Sequence, residues 1–148
     1  MSLIDLCTRS PITIAADASL VEAAQQMRAR HVGFLVVTAD GGNGPPLGVL
    51  TDRDIVVEVV SEGVDPTTVT AEDAMTREPL LVRSDATPEQ VLEQMRAFGV
   101  RRAPVVDPSG SIVGVVALDD ILDWLAGTLG NAAAVVRHEQ RIERQVRA

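Results

Sequence analysis

The sequence predicts an α+β protein of mixed α/β layers, made of two tandem β-α-β-β-α units and a C-terminal helix. Three observations lead to this class: the chain repeats itself, each copy alternates β-rich and helical runs, and the one length difference between copies falls in a loop. A lone unit of about 60 residues buries little surface. We therefore expect the units to pack with pseudo-twofold symmetry around a shared sheet-on-sheet core, with two equivalent clefts between them.

The repeat shows as identical residues in the same order in both copies. The matching pairs are Asp5/Asp73, Thr8/Thr76, Arg9/Arg77, Pro11/Pro79, Asp17/Asp85, Ala18/Ala86, residues 26–29/94–97, Val32/Val100, Val37/Val105, Gly48/Gly114, Val49/Val115, Asp54/Asp120 and Ile55/Ile121. The predicted boundaries follow from them: a first motif at 3–60, a linker at 61–70, a second motif at 71–126 and a tail at 127–148.

Each copy begins with a short strand and a helix. The strands follow a proline and cover residues 12–14 and 80–82. Asp17 with Ser19, and Asp85 with Thr87, offer side chains that can cap the helix N-termini, and Pro88 suits the first turn of a helix. Apolar residues then recur at helical spacing in both copies.

The second half of each copy reads as a hairpin and a second helix. The predicted strands cover residues 34–38 and 47–50 in the first copy, and 103–106 and 112–116 in the second. Turns rich in Gly, Pro, Asp or Ser separate the strands. The chain then enters a helix at Asp52 or at Asp119.

The tail has no counterpart in the repeat. Val135, Val136 and Ile142 form an apolar stripe among Arg and Glu residues, which predicts an amphipathic helix. Two roles stay open for it: a surface helix, or a contact in a dimer.

Composition excludes several classes of function. Net charge is −8 and every basic residue is Arg, so most of the surface would repel a nucleic acid. Cys7 is the single cysteine, which excludes an intrachain disulfide and zinc sites built on several thiolates. The chain shows no signal peptide and no apolar run long enough to span a membrane, so we expect a cytoplasmic protein that does not bind membranes.

Residues 48–54 are the sharpest chemical feature, because they join a strand to a helix. Gly48 lets the backbone lie close to a ligand. Thr51 lies near a helix N-terminus, where free N–H groups favour an anion. The Asp54 carboxylate can accept two hydrogen bonds from the vicinal hydroxyls of a ribose. The alternative is that Thr51 and Asp52 only cap the helix, with Asp54 a favourable charge in its first turn.

The second copy repeats this feature incompletely. Gly114 and Asp120 persist, but Ala117 replaces the threonine. Neither His31 nor His138 has a plausible nucleophilic partner, and Cys7 suits packing, so a catalytic site is not expected.

The whole pattern resembles a pair of cystathionine-β-synthase (CBS) domains, a Bateman module. The matching segments are residues 73–76 with Pro79, residues 95–107 and residues 48–54, and the likeness covers the chain from about Leu3 to Leu125. The resemblance implies a non-catalytic regulatory module that binds an adenosine derivative (AMP, ADP, ATP or S-adenosylmethionine) and requires no cofactor. It also implies a homodimer, with a signal read by the dimer or by an unidentified protein partner.

The resemblance implies two ligand sites. In the first, the base would lie against Thr13, Ile14, Val32, Gly33, Phe34, Leu35 and Val36, and the ribose and phosphate against Thr51, Arg53 and Asp54. In the second, the equivalent residues are Leu81, Val82, Val100, Arg101, Arg102, Ala103, Pro104 and Asp120.

Two departures leave another function open. Ala117 removes a hydroxyl from the second site, and the bulky Phe34 stands where the second copy has Arg102. The protein could therefore be a CBS-fold interaction or dimerisation protein that has lost ligand binding. If the second site does bind, either it favours an uncharged adenosine moiety or its arginines supply the missing charge.

Overall fold

The computed structural model describes residues 2–147 and contains two small sheets, each covered by helices. In the first half, α1 (Leu3–Leu6) precedes β1 (Thr13–Ala15), α2 (Leu20–Arg30), β2 (Phe34–Thr38), β3 (Gly48–Thr51), α3 (Asp52–Ile55) and a π-helical turn (Val56–Val60). In the second half, α4 (Ala71–Ala74) precedes β4 (Thr76–Arg77), β5 (Val82–Arg83), α5 (Pro88–Phe98), β6 (Arg102–Val106), β7 (Ile112–Ala117) and α6 (Leu118–Arg147).

The strand order confirms the predicted α+β units. One sheet has the order β1-β2-β3-β4 and the other β5-β6-β7. In both, the first strand pairs parallel with the second, which forms an antiparallel hairpin with the third. The first strands begin one or two residues later than predicted, and the short helices α1 and α4 were not predicted.

The segments that precede each first strand, residues 3–8 and 71–76, are exchanged between the halves. We call them the leading segments. Thr8 bridges to Val115 of the second half, and Thr76 pairs with Val49 of the first. Each half therefore completes its sheet with backbone from the other, which ties the repeats together.

Glycine makes this exchange fit. A Cβ atom on Gly48 would come 2.5 Å from Met75 Sδ and 2.6 Å from the Thr76 carbonyl oxygen. A Cβ atom on Gly114 would come 2.6 Å from both Cys7 Sγ and the Thr8 carbonyl oxygen. Gly48 was predicted to let the backbone lie close to a ligand. In the structure, its lack of a side chain makes room for Met75 and Thr76.

The expected single core shared by two sheets is replaced by two clusters. The first contains Ala71 and Met75 among the side chains of the first half, and the second contains Leu3 and Cys7 among those of the second half. Burial raises the pKa of the Cys7 thiol, and the charge of Asp120 adds to the rise, which fits packing rather than reactivity.

Capping residues fix the long helices where the sequence predicts them. Ser19 accepts a hydrogen bond from Glu22 N at 3.2 Å, and Thr87 accepts one from Gln90 N at 3.2 Å, with Pro88 in the first turn.

The C-terminal helix differs from its prediction. The last helix of the second repeat and the tail form one helix, α6, of 30 residues, which corresponds to about 45 Å. Every described residue from 126 onward is exposed, including Leu129, Val135, Val136 and Ile142. Despite its length, neither α6 nor any other helix within residues 2–147 is apolar enough over a sufficient stretch to cross a membrane.

Candidate ligand-binding cleft

A cleft of about 740 Å³ lies between the repeats, a volume within the range of small-molecule sites. Both repeats contribute to it, because their third strands end at its walls. It is lined by Gly33, Phe34, Val49, Thr51, Asp52, Arg53, Asp54, Thr76, Pro79, Val100, Arg101, Arg102, Ala117 and Asp119. The sequence predicts two equivalent clefts, and the ends of both repeats line this cavity.

At the end formed by the first repeat, Thr51 and Asp54 cap α3 reciprocally. The Thr51 amide donates to Asp54 Oδ2 at 2.8 Å, and the Asp54 amide donates to Thr51 Oγ1 at 3.2 Å. The Thr51 hydroxyl proton and Asp54 Oδ1 have no protein partner among residues 2–147. Thr51 therefore caps the helix as the alternative expected, but its partner is Asp54 and not Asp52, and the cap leaves one donor and one acceptor unpaired.

A second cap of the same kind, at the start of α4, shows that the spacing Thr-x-x-Asp does not by itself indicate a binding site. Thr70 and Asp73 cap α4 with the same two hydrogen bonds, at 3.2 Å and 3.1 Å. The hydrogen bond from the Thr70 amide lowers the pKa of the Asp73 carboxyl. Neither residue lines the cleft. The spacing Thr-x-x-Asp alone is a helix signal, and only its position in the cleft makes Thr51 and Asp54 candidates for binding.

At the end formed by the second repeat, cations replace the polar cap. Ala117 precedes α6 and offers no capping hydroxyl, while Arg101 and Arg102 both line the cleft. Arg101 forms an ion pair with Asp119 at 3.3 Å. Arg102 begins β6 and Arg101 directly precedes it.

Pseudo-symmetry extends to the backbone at both ends. The Asp52 amide donates to the Gly33 carbonyl at 3.0 Å, and the Leu118 amide donates to the Arg101 carbonyl at 2.8 Å. A Cβ atom on Gly33 would come 2.6 Å from Asp52 Oδ2, so glycine makes room for this carboxylate. The two ends therefore share a backbone and differ in side chains.

The cleft brings together eight of the predicted site residues. They are Gly33, Phe34, Thr51, Arg53, Asp54, Val100, Arg101 and Arg102.

The other predicted residues do not line it, and strand alternation is the main reason. Ile14, Leu35, Val82 and Ala103 point into the two apolar clusters, and Val32 packs against the first of them. Val36 and Pro104 are buried, and Leu81 is partly exposed outside the cleft.

Two predicted polar residues also lie outside the cleft. The Thr13 hydroxyl donates to the Gly41 carbonyl in the long loop after β2. Asp120 is not among the residues that line the cleft, and its charge adds to the rise in the pKa of the Cys7 thiol. The ribose contact of Asp120 stays a prediction.

Sequence reasoning missed some lining residues as site residues. They are Val49, Asp52, Thr76, Pro79, Ala117 and Asp119. Thr76 and Pro79 reach the cleft only because the second leading segment crosses to the first sheet. The sequence repeat matches Thr76 and Pro79 with Thr8 and Pro11, but it does not show that Thr76 and Pro79 line the cleft.

Comparison with known families agrees with the duplicated architecture. A CBS domain model matches residues 3–61 and again residues 71–127. The chain belongs to the CBS domain family. The two repeats are thus two CBS domains, and the cleft lies between them.

Relatives cover most of this chain. Protein MK0525 of Methanopyrus kandleri is 34% identical over 122 residues, which are 82% of this chain and 61% of that protein. Hypoxic response protein 1 of Mycobacterium tuberculosis is 32% identical over 117 residues, which are 79% of this chain and 80% of that protein. This chain therefore spans less than two thirds of the length of MK0525.

Crystal structures of CBS proteins match the fold. Hypoxic Response Protein I with two coordinated zinc ions has a TM-score of 0.72 at 30% identity, over 83% of this chain and 98% of that chain. PAE2072 from Pyrobaculum aerophilum, complexed with AMP, has a TM-score of 0.74 at 27% identity, over 86% of this chain and 99% of that chain. The CBS pair of MJ0100, in complex with 5′-methylthioadenosine and S-adenosyl-L-methionine, has a TM-score of 0.72 at 25% identity, over 84% of this chain and 99% of that chain.

Within residues 2–147 of this chain, no three His, Cys, Asp or Glu side chains are grouped to hold a metal ion.

Proposed function

We propose that this CBS pair is a non-catalytic regulatory module that binds an adenosine-containing ligand in the cleft between its repeats. The observation that carries the proposal is the placement of Thr51 and Asp54, with their free donor and acceptor, in a cavity of about 740 Å³ walled by both repeats. Relatives of the same fold bind AMP, S-adenosyl-L-methionine or 5′-methylthioadenosine.

The chemistry of the cleft suits such a ligand. Asp54 Oδ1 can accept from a ribose hydroxyl, and Phe34 offers an aromatic face at the same wall. A ligand that touches both repeats binds best to one relative arrangement of them, so it shifts the population toward that arrangement. The shift is the signal that the dimer or a partner protein reads.

Calorimetry with AMP, ATP and S-adenosylmethionine tests the site. Asp54→Asn keeps an oxygen for the cap and removes the charge that a ribose would use, so we expect affinity to fall about tenfold. Asp73→Asn is the matched control, because Asp73 has the same position in an equivalent cap outside the cleft. Equal affinity in the two variants would contradict the assigned site.

The alternative function, an interaction protein that has lost ligand binding, is favoured by the tail. Leu129, Val135, Val136 and Ile142 expose apolar side chains along a helix that no other part of residues 2–147 covers.

We propose that these residues contribute to a homodimer. Light scattering should give a dimer for the native chain and a monomer for Val135→Glu combined with Ile142→Glu. A stable dimer that no adenosine compound stabilises against heat would favour this alternative over the ligand-binding module.

A further inference from the structure

The loop between β2 and β3 contains two side chains that are followed by glycine: Asp40 before Gly41, and Asn43 before Gly44. In such a pair the glycine nitrogen can attack the side-chain carbonyl carbon, because glycine has no Cβ atom to block the approach. The structure restrains the first pair, since the Asp40 carboxylate accepts a hydrogen bond from the Gly42 amide at 2.9 Å. The second pair is held differently.

Asn43 has none of these restraints. It is exposed, and within residues 2–147 neither its backbone nor its side chain forms a hydrogen bond. The Gly44 amide has no acceptor in that part of the chain either. Apart from its chain neighbours, nothing lies within 4 Å of the position that a Gly44 Cβ atom would take. The attacking nitrogen and the carbon that it attacks are therefore both unhindered.

The other asparagine of the chain, Asn131, serves as an internal reference. It lies within α6 and is followed by Ala132. In an α-helix the amide of Ala132 donates to the carbonyl four residues earlier, which directs this nitrogen along the helix axis and away from the Asn131 side chain. The fold therefore protects Asn131.

We propose that Asn43 is a site of spontaneous deamidation. The Gly44 nitrogen forms a bond to Asn43 Cγ, the bond from Cγ to Nδ2 breaks, and ammonia leaves with the proton of the Gly44 amide. Water then opens the succinimide ring. Cleavage between the nitrogen and Cγ gives aspartate, and cleavage between the nitrogen and the main-chain carbonyl carbon gives isoaspartate. The net reaction consumes one water molecule and releases one ammonia molecule.

The products alter a loop that contacts the second repeat. The Gly44 carbonyl accepts a hydrogen bond from the Ile112 amide at 3.4 Å. Both products carry a new carboxylate, so the net charge of −8 becomes more negative. Isoaspartate also routes the main chain through Cβ and Cγ, which lengthens the loop by one bond directly before this contact.

Peptide mapping by mass spectrometry, during incubation of the native chain in neutral buffer, tests the site. Deamidation raises the mass of the peptide that contains Asn43 by about 1 Da, and we expect conversion there to exceed that at Asn131 at least about tenfold. The rate at Asn43 should rise with buffer pH, because the Gly44 nitrogen must lose its proton to attack.

Unfolding in urea separates the contribution of the fold from that of the sequence. The rate at Asn43 should stay within about threefold of its value in the folded chain, because the loop already leaves this pair unrestrained. The rate at Asn131 should rise, because urea removes the helix that protects it.

Gly44→Ala is the matched variant, because the new methyl group meets no neighbour in the fold but hinders the attack. We expect its deamidation to fall about tenfold or more with no loss of stability in denaturant unfolding. The proposal is overturned by equal conversion in the native chain and Gly44→Ala, or by equal rates at Asn43 and Asn131 in the folded chain. A rate at Asn43 that rises about tenfold or more in urea would also overturn it, because the loop would then protect the site.

Discussion

The first and second repeats end their third strands alike and then diverge. Gly48 and Gly114 both admit a leading segment from the other half, and Asp52 and Leu118 both close the same backbone hydrogen bond. Beyond these points, the first repeat has a reciprocal Thr51–Asp54 cap, whereas the second has Ala117 and a pair of arginines.

The comparison teaches which features of a duplicated fold are fixed. Packing between halves constrains both copies equally, because each leading segment meets the same sheet edge. Side chains at the cleft are free to differ, because the backbone bonds that hold the walls do not involve them. The side chains proposed to bind a ligand thus lie where the copies differ.

The largest effect should come from Gly48 and Gly114, the glycines that admit a leading segment in both repeats. Gly48→Ala and Gly114→Ala should each destabilise the fold by about 2 kcal/mol, because the new methyl group overlaps a carbonyl oxygen and a sulfur atom. Denaturant unfolding measures the change. Gly44→Ala is the control, since nothing lies within 4 Å of its Cβ position. Equal stability of all three variants would mean that the leading segments do not pack as described.

The next largest effect should come from Thr51 and Ala117, the equivalent positions at which the two repeats differ. Thr51→Ala should cost about 1 kcal/mol, because it removes the cap of α3. Ala117→Thr should stabilise by a similar amount, because it places a threonine three residues before Asp120 at the start of α6. Thermal unfolding of both variants measures the two changes in stability. A loss of stability in Ala117→Thr would show that the wall of the second repeat cannot adopt a cap.

The ends of α2 and α5 share one geometry, and the smallest expected effect, that of His31→Gly, tests it. His31 and Gly99 have φ of 54° and 68°, and the residues after them, Val32 and Val100, donate to Met27 and Met95 at 3.1 Å. His31→Gly should stabilise by about 0.5 kcal/mol, because glycine relieves the left-handed strain but loses more entropy on folding. Gly99→Ala should destabilise by about 1 kcal/mol. Denaturant midpoints check both signs, and a stabilising Gly99→Ala would contradict the shared geometry.

Predictability from sequence follows the range of the interactions. Ser19, Thr87 and Pro88 fix helix starts through contacts three residues away, so these starts were predictable. The register of β2 with β3 follows from a hairpin between neighbouring strands. Leu3 shows the limit, because its burial in the core of the other repeat depends on contacts far along the chain, which local patterns do not encode.

The candidate site divides in the same way. Thr51, Asp54 and the arginines of the second repeat could be named from sequence, because their chemistry and spacing are local. The sequence did not show which of them share a cavity, because strand alternation and the crossing of Thr76 and Pro79 to the first sheet depend on tertiary packing.

By itself, the sequence determined the duplication and the β-α-β-β-α order within each repeat. The duplication shows as identical residues in both copies, and the order follows from periodicity and capping, which act over a few residues. Only the tertiary structure decided that the leading segments exchange, that two apolar clusters replace one core, and that both repeats open onto one cleft. The physical reason is that these features minimise exposed apolar surface and unpaired backbone over the whole chain, and no local segment contains that information.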